Sequence, residues 1–288
     1  MILVTAALPP ATGGRVAVDP ALVGRCANVT PTREKAEEAT GRKWRLQSPA
    51  PYDPPMPTLT IARRFCGPPT SANGGYFSGL IAALAPRPVA VRLLRPPPLD
   101  TPLEVAEQSD GVLAVSCGAE LIAETRPERV SAPTVRPPSY PEAIEASRRY
   151  VGFAHHPFPT CFVCGPERAR GDGLRIFPGA LDGRDLVAAP WLADESLAAS
   201  DGKVRPEYMW AALDCPGWFA AMTNARIALL GEFTGHIDRR VHAGEDCVVV
   251  GWRMSTSGRK HEAGTALYDE DGELCAYARA IWIEPRAR

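Results

Sequence analysis

A single carboxylate, Asp214, stands inside a long apolar run at residues 205–223 (RPEYMWAALDCPGWFAAMT). The residues on both sides of Asp214 are apolar on nearly every helical face, which is typical of a buried helix rather than a surface helix. An ionised carboxylate in such surroundings needs either a partner or a chemical role. Because a carboxylate can take a proton from water as a general base, Asp214 is the first candidate for chemistry.

Pro216 limits where Asp214 can lie, because proline is tolerated in the first turn of a helix and breaks a helix interior. Either a first helical turn ends near Asp214, or the main helix begins there with Asp214 as its cap. Both alternatives put Asp214 near a helix N-terminus. An aspartate that only caps a helix contributes about 1 kcal/mol to stability and has no catalytic role.

A second candidate is the pair Cys161-x-x-Cys164, with His155 and His156 upstream. These residues have the types and the spacing of zinc ligands. The sequence offers no second cysteine pair, so a structural turn is the favoured interpretation and we expect no metal. The other cysteines in apolar stretches, Cys215 among them, are interpreted as reduced core residues.

Composition narrows the class of protein. The chain of 288 residues is long enough for two ordinary domains, and 45% of its residues are hydrophobic. With a formal net charge of -1, the chain lacks the excess positive charge that proteins use to bind nucleic acid or an acidic membrane. Neither a membrane span nor a signal peptide is indicated. We expect a cytoplasmic protein that acts on small molecules, with no nucleic-acid or membrane partner.

The elements that position these candidates occur in the same order twice. In the first set, a strand at 59–65 and a glycine- and proline-rich loop lead to a buried helix at 76–84, for which Asn73 is the predicted cap. In the second set, two strands precede the helix at 205–223. The predicted strands that complete the two sets are 89–94, 102–107, 112–123, 173–177, 185–189, 228–233, 246–254, 262–268 and 274–283.

This repeated order predicts an α+β protein of two halves, each an antiparallel sheet on one helix. We expect a proline-rich extension at 1–57, a first domain at 58–130, a linker at 131–160 and a second domain at 161–288. The extension lacks strand or helix periodicity, so its removal is expected to leave folding and activity intact.

Several short stretches carry a family resemblance. They are 67–76 (GPPTSANGGY) with 97–99 (PPL), 161–165 (CFVCG) with 173–174 (GL), 211–216 (AALDCP), 258–260 (GRK) and 278–282 (ARAIW). In this order they resemble the hotdog-fold acyl-CoA thioesterases, roughly from residue 58 to residue 285. The resemblance implies two tandem hotdog domains, each a curled antiparallel β-sheet wrapped around a central helix.

The resemblance also implies a function, the hydrolysis of an acyl-CoA or a related acyl thioester in a tunnel at the seam between the halves. Asp214 would assist the attack of water, whereas Asn73 at the corresponding turn of the first half cannot act as a base. One of two pseudo-symmetric sites is therefore expected to be disabled. The N–H groups of Gly74 and Gly75 would polarise the thioester carbonyl, unless these glycines only allow a tight turn.

Further substrate contacts are expected from Tyr76 and Trp210, although tryptophan in such runs is more often part of a core. Arg259 and Lys260 would hold the coenzyme A phosphates, or else lie in a solvated hairpin loop. The expected partner is an acyl-CoA or an acyl-carrier thioester, no cofactor is expected, and double-hotdog protomers leave room for a homo-oligomer.

Three alternatives complete the set of functions, one of them a structural or scaffolding protein with a zinc knuckle. A non-catalytic module that binds acyl thioesters is the main alternative, because one helix already lacks an acid. Hydratases of this fold carry an aspartate and a histidine five positions apart on a loop. Here Asp238 and His242 are four apart and lie outside the expected loop, which disfavours a hydratase.

Overall fold

The computed structural model describes residues 58–222 and 227–286. The predicted extension, residues 1–57, lies outside the described residues. The strands are β1 (Thr58–Thr60), β2 (Val89–Leu93), β3 (Pro102–Glu107), β4 (Leu113–Cys117), β5 (Glu120–Pro127), β6 (Gly179–Ala180), β7 (Val187–Leu192), β8 (Leu229–Ile237), β9 (Asp246–Ser257), β10 (Lys260–Tyr268) and β11 (Leu274–Ile283). The helices are α1 (Gly74–Leu84), α2 (Tyr140–Ser147), α3 (Pro206–Ala212) and α4 (Cys215–Ala221).

The eleven strands form one antiparallel sheet in the order β1-β3-β4-β5-β2-β8-β11-β10-β9-β7-β6. Strands from the first part of the chain lie at one end of the sheet, and strands from the second part lie at the other. The two groups meet where β2 pairs with β8, with Val91 opposite Phe233. Both side chains are fully buried, so the junction belongs to the hydrophobic core.

Helix α1 of the first group packs against α3 of the second group as well as against β2 and β8. Glycines on one face of α1 permit a close approach, since a Cβ atom at Gly79 would lie 2.8 Å from the Cβ of Trp210. Gly75 stands four residues earlier and therefore on the same helical face. A Cβ atom there would lie 2.6 Å from the Cβ of Asp214. The start of α1 is thus brought to the end of α3.

The helix predicted at 76–84 is confirmed and begins two residues earlier, with the Asn73 side chain accepting the N–H of Tyr76 at 2.9 Å. The apolar run at 205–223 is not one helix. It divides into α3 and α4, because Pro216 lacks the N–H group that the carbonyl of Ala212 would accept in a continuous helix. Thr223 itself lies outside the described residues.

Three strand predictions were wrong in detail. The run at 59–65 is a strand only in β1 and then forms a 3-10 helix at Arg63–Phe65. The run at 112–123 is a hairpin of β4 and β5, with Gly118 at a φ of 57° in the turn. Residues 173–177 form no strand, since Arg175 takes a φ of 54° and this segment bonds instead to the turn at Phe162 and Val163.

The other strand predictions were confirmed, with shifted ends at β2, β7, β8, β9 and β10. Within the linker predicted at 131–160, α2 begins with a capping box between Ser139 and Glu142 and packs on β7 and β9. None of the helices in the described part of the chain has the length and apolar character needed to cross a membrane.

Candidate active site

Asp214 lies in the break between α3 and α4, at the cap position of α4, but its side chain makes no capping bond to that helix. Its Oδ2 atom instead accepts hydrogen bonds from Asn73 Nδ2 at 2.6 Å and from the backbone N–H of Gly75 at 3.0 Å. Asp214 therefore interacts with the first turn of α1, a helix that comes from the same part of the chain as strands β1 to β5. The interpretation of Asp214 as a simple cap of its own helix is wrong.

Asn73 has two roles in this contact. Its Oδ1 atom caps α1, and its amide group donates to the carboxylate of Asp214. Asn73 and Asp214 thus belong to one constellation, so the expectation that they mark two separate sites was wrong. A residue pair separated by 141 positions is joined here by the approach of α1 to α3.

The second oxygen of Asp214, Oδ1, is buried and has no hydrogen-bond partner among the residues that the structure describes. Burial raises the pKa of this carboxyl to about 7, against the lowering effect of the bond from Gly75. The neighbouring Cys161 raises it further, and Asn73 lowers it. The carboxyl group thus has one oxygen held by hydrogen bonds and one buried oxygen that makes none within the described part of the chain.

A cavity of about 570 Å³ lies beside Asp214. Its wall includes the turn that precedes α1, the first residues of β8 and the end of β11. Large apolar side chains contribute to the lining, among them Phe158, Trp218, Phe219 and Leu230. A cavity of this size and character suits a small ligand with an apolar group.

Three cysteines also line the cavity, namely Cys161, Cys164 and Cys215. Their sulfur atoms all lie within 4.8 Å of one another, and Cys161 Sγ is 3.8 Å from Cys215 Sγ. Hydrogen bonding from Cys164, and then from Cys215, lowers the pKa of the Cys161 thiol well below its usual range. His156 completes the group, with Nε2 at 3.3 Å from Cys164 Sγ.

The structure brings together four of the predicted site residues at the cavity. Asn73, Gly74, Asp214 and Arg259 contribute to its lining. Gly75 contacts Asp214 directly, so its N–H group is already bonded to a carboxylate and is not free to polarise a carbonyl. That role remains open to Gly74, whose N–H group belongs to the first turn of α1 and has no intrahelical acceptor.

Three predicted substrate contacts lie elsewhere. Tyr76 stacks on Phe65, with ring centroids 4.2 Å apart, in an aromatic cluster behind the site. Trp210 packs edge-on against Phe233 at 5.6 Å and so belongs to the core. The side chain of Lys260 is exposed at the start of β10 and is not among the residues that line the cavity.

Asp238 and His242 lie away from the cavity. Asp238 directly follows β8, while the first residues of β8 line the cavity. Eight residues of extended chain between Leu230 and Asp238 span roughly 26 Å. Asp238 Oδ1 instead accepts a hydrogen bond from His236 Nε2, and the two atoms are 3.0 Å apart.

The contribution of Cys215 was missed by sequence reasoning. It follows Asp214 directly, and this neighbour was interpreted as a core cysteine. Trp218 and Phe219, which follow in α4, also line the cavity. The available signal was the sequence Asp-Cys-Pro at the helix break, which places a thiol and a carboxylate side by side.

The comparison with solved structures decides the fold. The TesB protein of Mycobacterium avium subspecies paratuberculosis is matched with a TM-score of 0.53 and 14% identity, over 80% of this chain and 92% of that chain. The chain has the hotdog fold. At this level of identity the likeness concerns the fold alone.

Two further hotdog structures are similar over the same share of this chain. A protein of Novosphingobium aromaticivorans, provisionally named a thioesterase, is 14% identical with a TM-score of 0.49, over 80% of this chain and 95% of that chain. A protein of Thermobifida fusca, provisionally named thioesterase II, is 15% identical with a TM-score of 0.49, over 80% of this chain and 92% of that chain. No protein-family model and no curated protein matches the chain.

Proposed function

We propose that this hotdog protein hydrolyses an acyl-CoA or a related acyl thioester, with Asp214 as the general base. The observation that carries the proposal is the state of the Asp214 carboxylate at the cavity wall. Asn73 and Gly75 hold one oxygen in place, while the other oxygen has no hydrogen-bond partner in residues 58–222 and 227–286. A fixed and buried carboxylate with one free oxygen is suited to take a proton from a water molecule.

In the proposed reaction, Asp214 removes a proton from water as the water oxygen attacks the thioester carbonyl carbon. The negative charge that develops on the carbonyl oxygen is stabilised by the positive end of α1, where Gly74 lines the cavity. The tetrahedral intermediate then collapses, the carbon–sulfur bond breaks, and the thiolate receives the proton from Asp214. The products are a carboxylic acid and a free thiol.

The rest of the cavity lining suits a thioester that has an apolar group at one end and charged phosphates at the other. The apolar side chains of Trp218, Phe219 and Leu230 suit the acyl group. Arg259 is an exposed cation on the same wall and suits the phosphates of coenzyme A. One of its N–H groups is bonded to the carbonyl of Glu284 at 2.6 Å, which fixes the position of the guanidinium group.

We also infer that the two strand groups are tandem hotdog domains, with residues 58–130 in the first and 161–288 in the second. Two features support this division. The sheet order keeps β1 to β5 at one end and β6 to β11 at the other. The matched TesB protein is aligned over 92% of its length to 80% of this chain. The candidate site then lies at the seam, with Asn73 from one domain and Asp214 from the other.

The direct test is incubation of the full chain with a series of acyl-CoA esters of increasing chain length, with free coenzyme A separated by chromatography. Separation is needed because the eight cysteines of the protein would react with a thiol reagent. Catalytic release of coenzyme A is the expected result. Saturable binding of an ester without release would favour a binding module. If the protein neither binds nor cleaves any ester of the series, acyl-CoA is excluded as the ligand.

A further inference from the structure

We propose that Cys161, Cys164 and Cys215 form a zinc site. The three thiols come from two separate parts of the chain, since the first two flank one tight turn and the third begins α4. All three residues are buried. Zinc is bound in proteins by thiolate sulfur in a tetrahedral arrangement, and a soft sulfur set of this kind selects zinc over the hard cations magnesium and calcium. The proposal is independent of the hydrolase activity.

The distances between the sulfur atoms fit such an ion. With zinc–sulfur bonds of about 2.3 Å and tetrahedral angles, two sulfur ligands lie about 3.8 Å apart. Cys161 Sγ and Cys215 Sγ are 3.8 Å apart, and all three sulfur atoms lie within 4.8 Å of one another. At 3.8 Å the pair is far outside the length of a disulfide bond, which is about 2.0 Å.

The turn that carries the first two cysteines is held in a fixed shape by hydrogen bonds and close packing. The turn closes with the N–H of Gly165 on the carbonyl of Cys161 at 2.9 Å. A Cβ atom at Gly165 would lie 2.5 Å from the carbonyl oxygen of Pro159, so the turn requires glycine. Tyr150 braces it from outside by donating to the carbonyl of Cys164 at 2.8 Å.

His156 lies beside the three sulfur atoms but is assigned a supporting role. Its Nδ1 atom accepts the N–H of Phe158 at 2.9 Å. In a neutral imidazole the other nitrogen then carries the proton, so Nε2 donates to Cys164 Sγ, 3.3 Å away. A hydrogen bond of this kind stabilises a thiolate ligand and orients it. All three cysteines also line the cavity.

The test uses the full chain with its cysteines reduced and any bound metal removed by a chelator. Zinc is then added in the presence of a second, coloured chelator that competes with the protein for the ion. We expect one zinc ion per chain, with release of thiol protons on binding. Cobalt in place of zinc should give the intense visible absorption of a tetrahedral ion and sulfur-to-cobalt charge-transfer bands. Absence of stoichiometric zinc uptake by the reduced protein, or octahedral cobalt spectra, would overturn the proposal.

Matched variants locate the ion. Cys161→Ser and Cys215→Ser should each weaken zinc binding by at least about 100-fold, more than the loss of an outer-shell partner costs. Cys117→Ser and Cys247→Ser remove a partly exposed thiol and a buried thiol outside the cluster, and both should bind zinc as the parent does. Equal loss in all four variants, or no loss in Cys215→Ser, would contradict the assignment. Because the readouts are metal content and spectra, failure of the hydrolase proposal leaves this test intact.

Discussion

The N–H group of Gly75 and the Oδ2 atom of Asp214 lie 3.0 Å apart, although the two residues are separated by 139 positions in the chain. The donor is in the first turn of α1, and the acceptor is in the break between α3 and α4. The positive end of α1 thus stabilises a carboxylate from a distant part of the chain. Neither helix region alone contains the complete arrangement, so the site forms only when α1 and α3 pack together.

Asp214→Asn is expected to abolish most of the proposed activity without unfolding the protein. An amide oxygen can still accept the N–H of Gly75, but an amide cannot take a proton from water. General-base catalysis typically contributes about 10²- to 10⁴-fold, so the turnover number should fall at least about 100-fold while the melting temperature stays close to that of the parent. Release of coenzyme A and thermal unfolding would be measured on the same samples.

The control for this change is Asp194→Asn, at an exposed aspartate whose Oδ1 atom accepts the backbone N–H of Ser196. It removes a carboxylate that is not among the residues lining the cavity, and it should leave turnover unchanged. Parent-like turnover in Asp214→Asn would refute the general-base role.

Gly75→Ala should disturb both stability and the site. The new methyl group would lie 2.6 Å from Asp214 Cβ and 2.7 Å from the carbonyl oxygen of Trp210. Overpacking against backbone costs about 1–3 kcal/mol, which lowers the melting temperature by roughly 3–10 °C in a chain of this size. Calorimetry or thermal unfolding monitored by circular dichroism measures the change.

Gly74→Ala is the matched comparison. Its methyl group would lie 2.6 Å from Leu230 Cδ2, the mobile end of a side chain that can rotate away. Its effect on unfolding should therefore stay within about 1 kcal/mol, helped by the higher helix propensity of alanine. Equal destabilisation by the two substitutions would show that a methyl group at Gly75 costs no more free energy of unfolding than a methyl group at Gly74.

Arg259→Ala should weaken the binding of a coenzyme A ester and leave the chemical step alone. A charge-assisted hydrogen bond contributes about 1.5–3 kcal/mol when buried and less at an exposed position, so we expect KM to rise about 5- to 10-fold with kcat unchanged. The same acyl group on N-acetylcysteamine, which lacks the phosphates, should show no change.

Lys260→Ala controls for the loss of one positive charge in the same hairpin. Because the side chain of Lys260 is outside the cavity lining, its KM for the coenzyme A ester should equal that of the parent. A rise in KM for the N-acetylcysteamine ester in Arg259→Ala would point to a structural effect instead of phosphate binding.

Fragments 58–130 and 161–288 are expected to be unstable when each is produced alone. Separation would expose the buried face between α1 and α3 and leave β2 and β8 without partners at the junction. Expression of each fragment, followed by denaturant unfolding, checks this expectation, and co-expression should recover a soluble complex. Cooperative unfolding of either isolated fragment would show that the halves are independent domains.

Local features of the fold were predictable from the sequence. The apolar run after Asn73 predicted α1 and its cap, because the N-cap interaction spans only three residues. Alternating residues predicted most strands. These signals depend on neighbours in the chain.

The parts of the site that depend on tertiary packing were not predictable. The bond between Asn73 and Asp214 joins residues that are 141 positions apart, so no local pattern encodes it. The same holds for Cys215, whose sulfur meets Cys161 from 54 positions away. Tyr76 has the polarity of a substrate contact, yet the direction of its side chain is set by stacking on Phe65.

The pairing of β2 with β8 affects the order in which the protein can assemble during synthesis. Strand β2 ends at Leu93 and β8 begins at Leu229, so about 140 residues are made between the two partners. At about 5–20 residues per second, the ribosome needs roughly 7–30 s to supply β8. During that time β2 presents a row of unpaired backbone groups, the kind of edge at which nascent chains associate wrongly. The newly made first strand group therefore carries an unpaired edge until β8 emerges, which raises its risk of association with other chains.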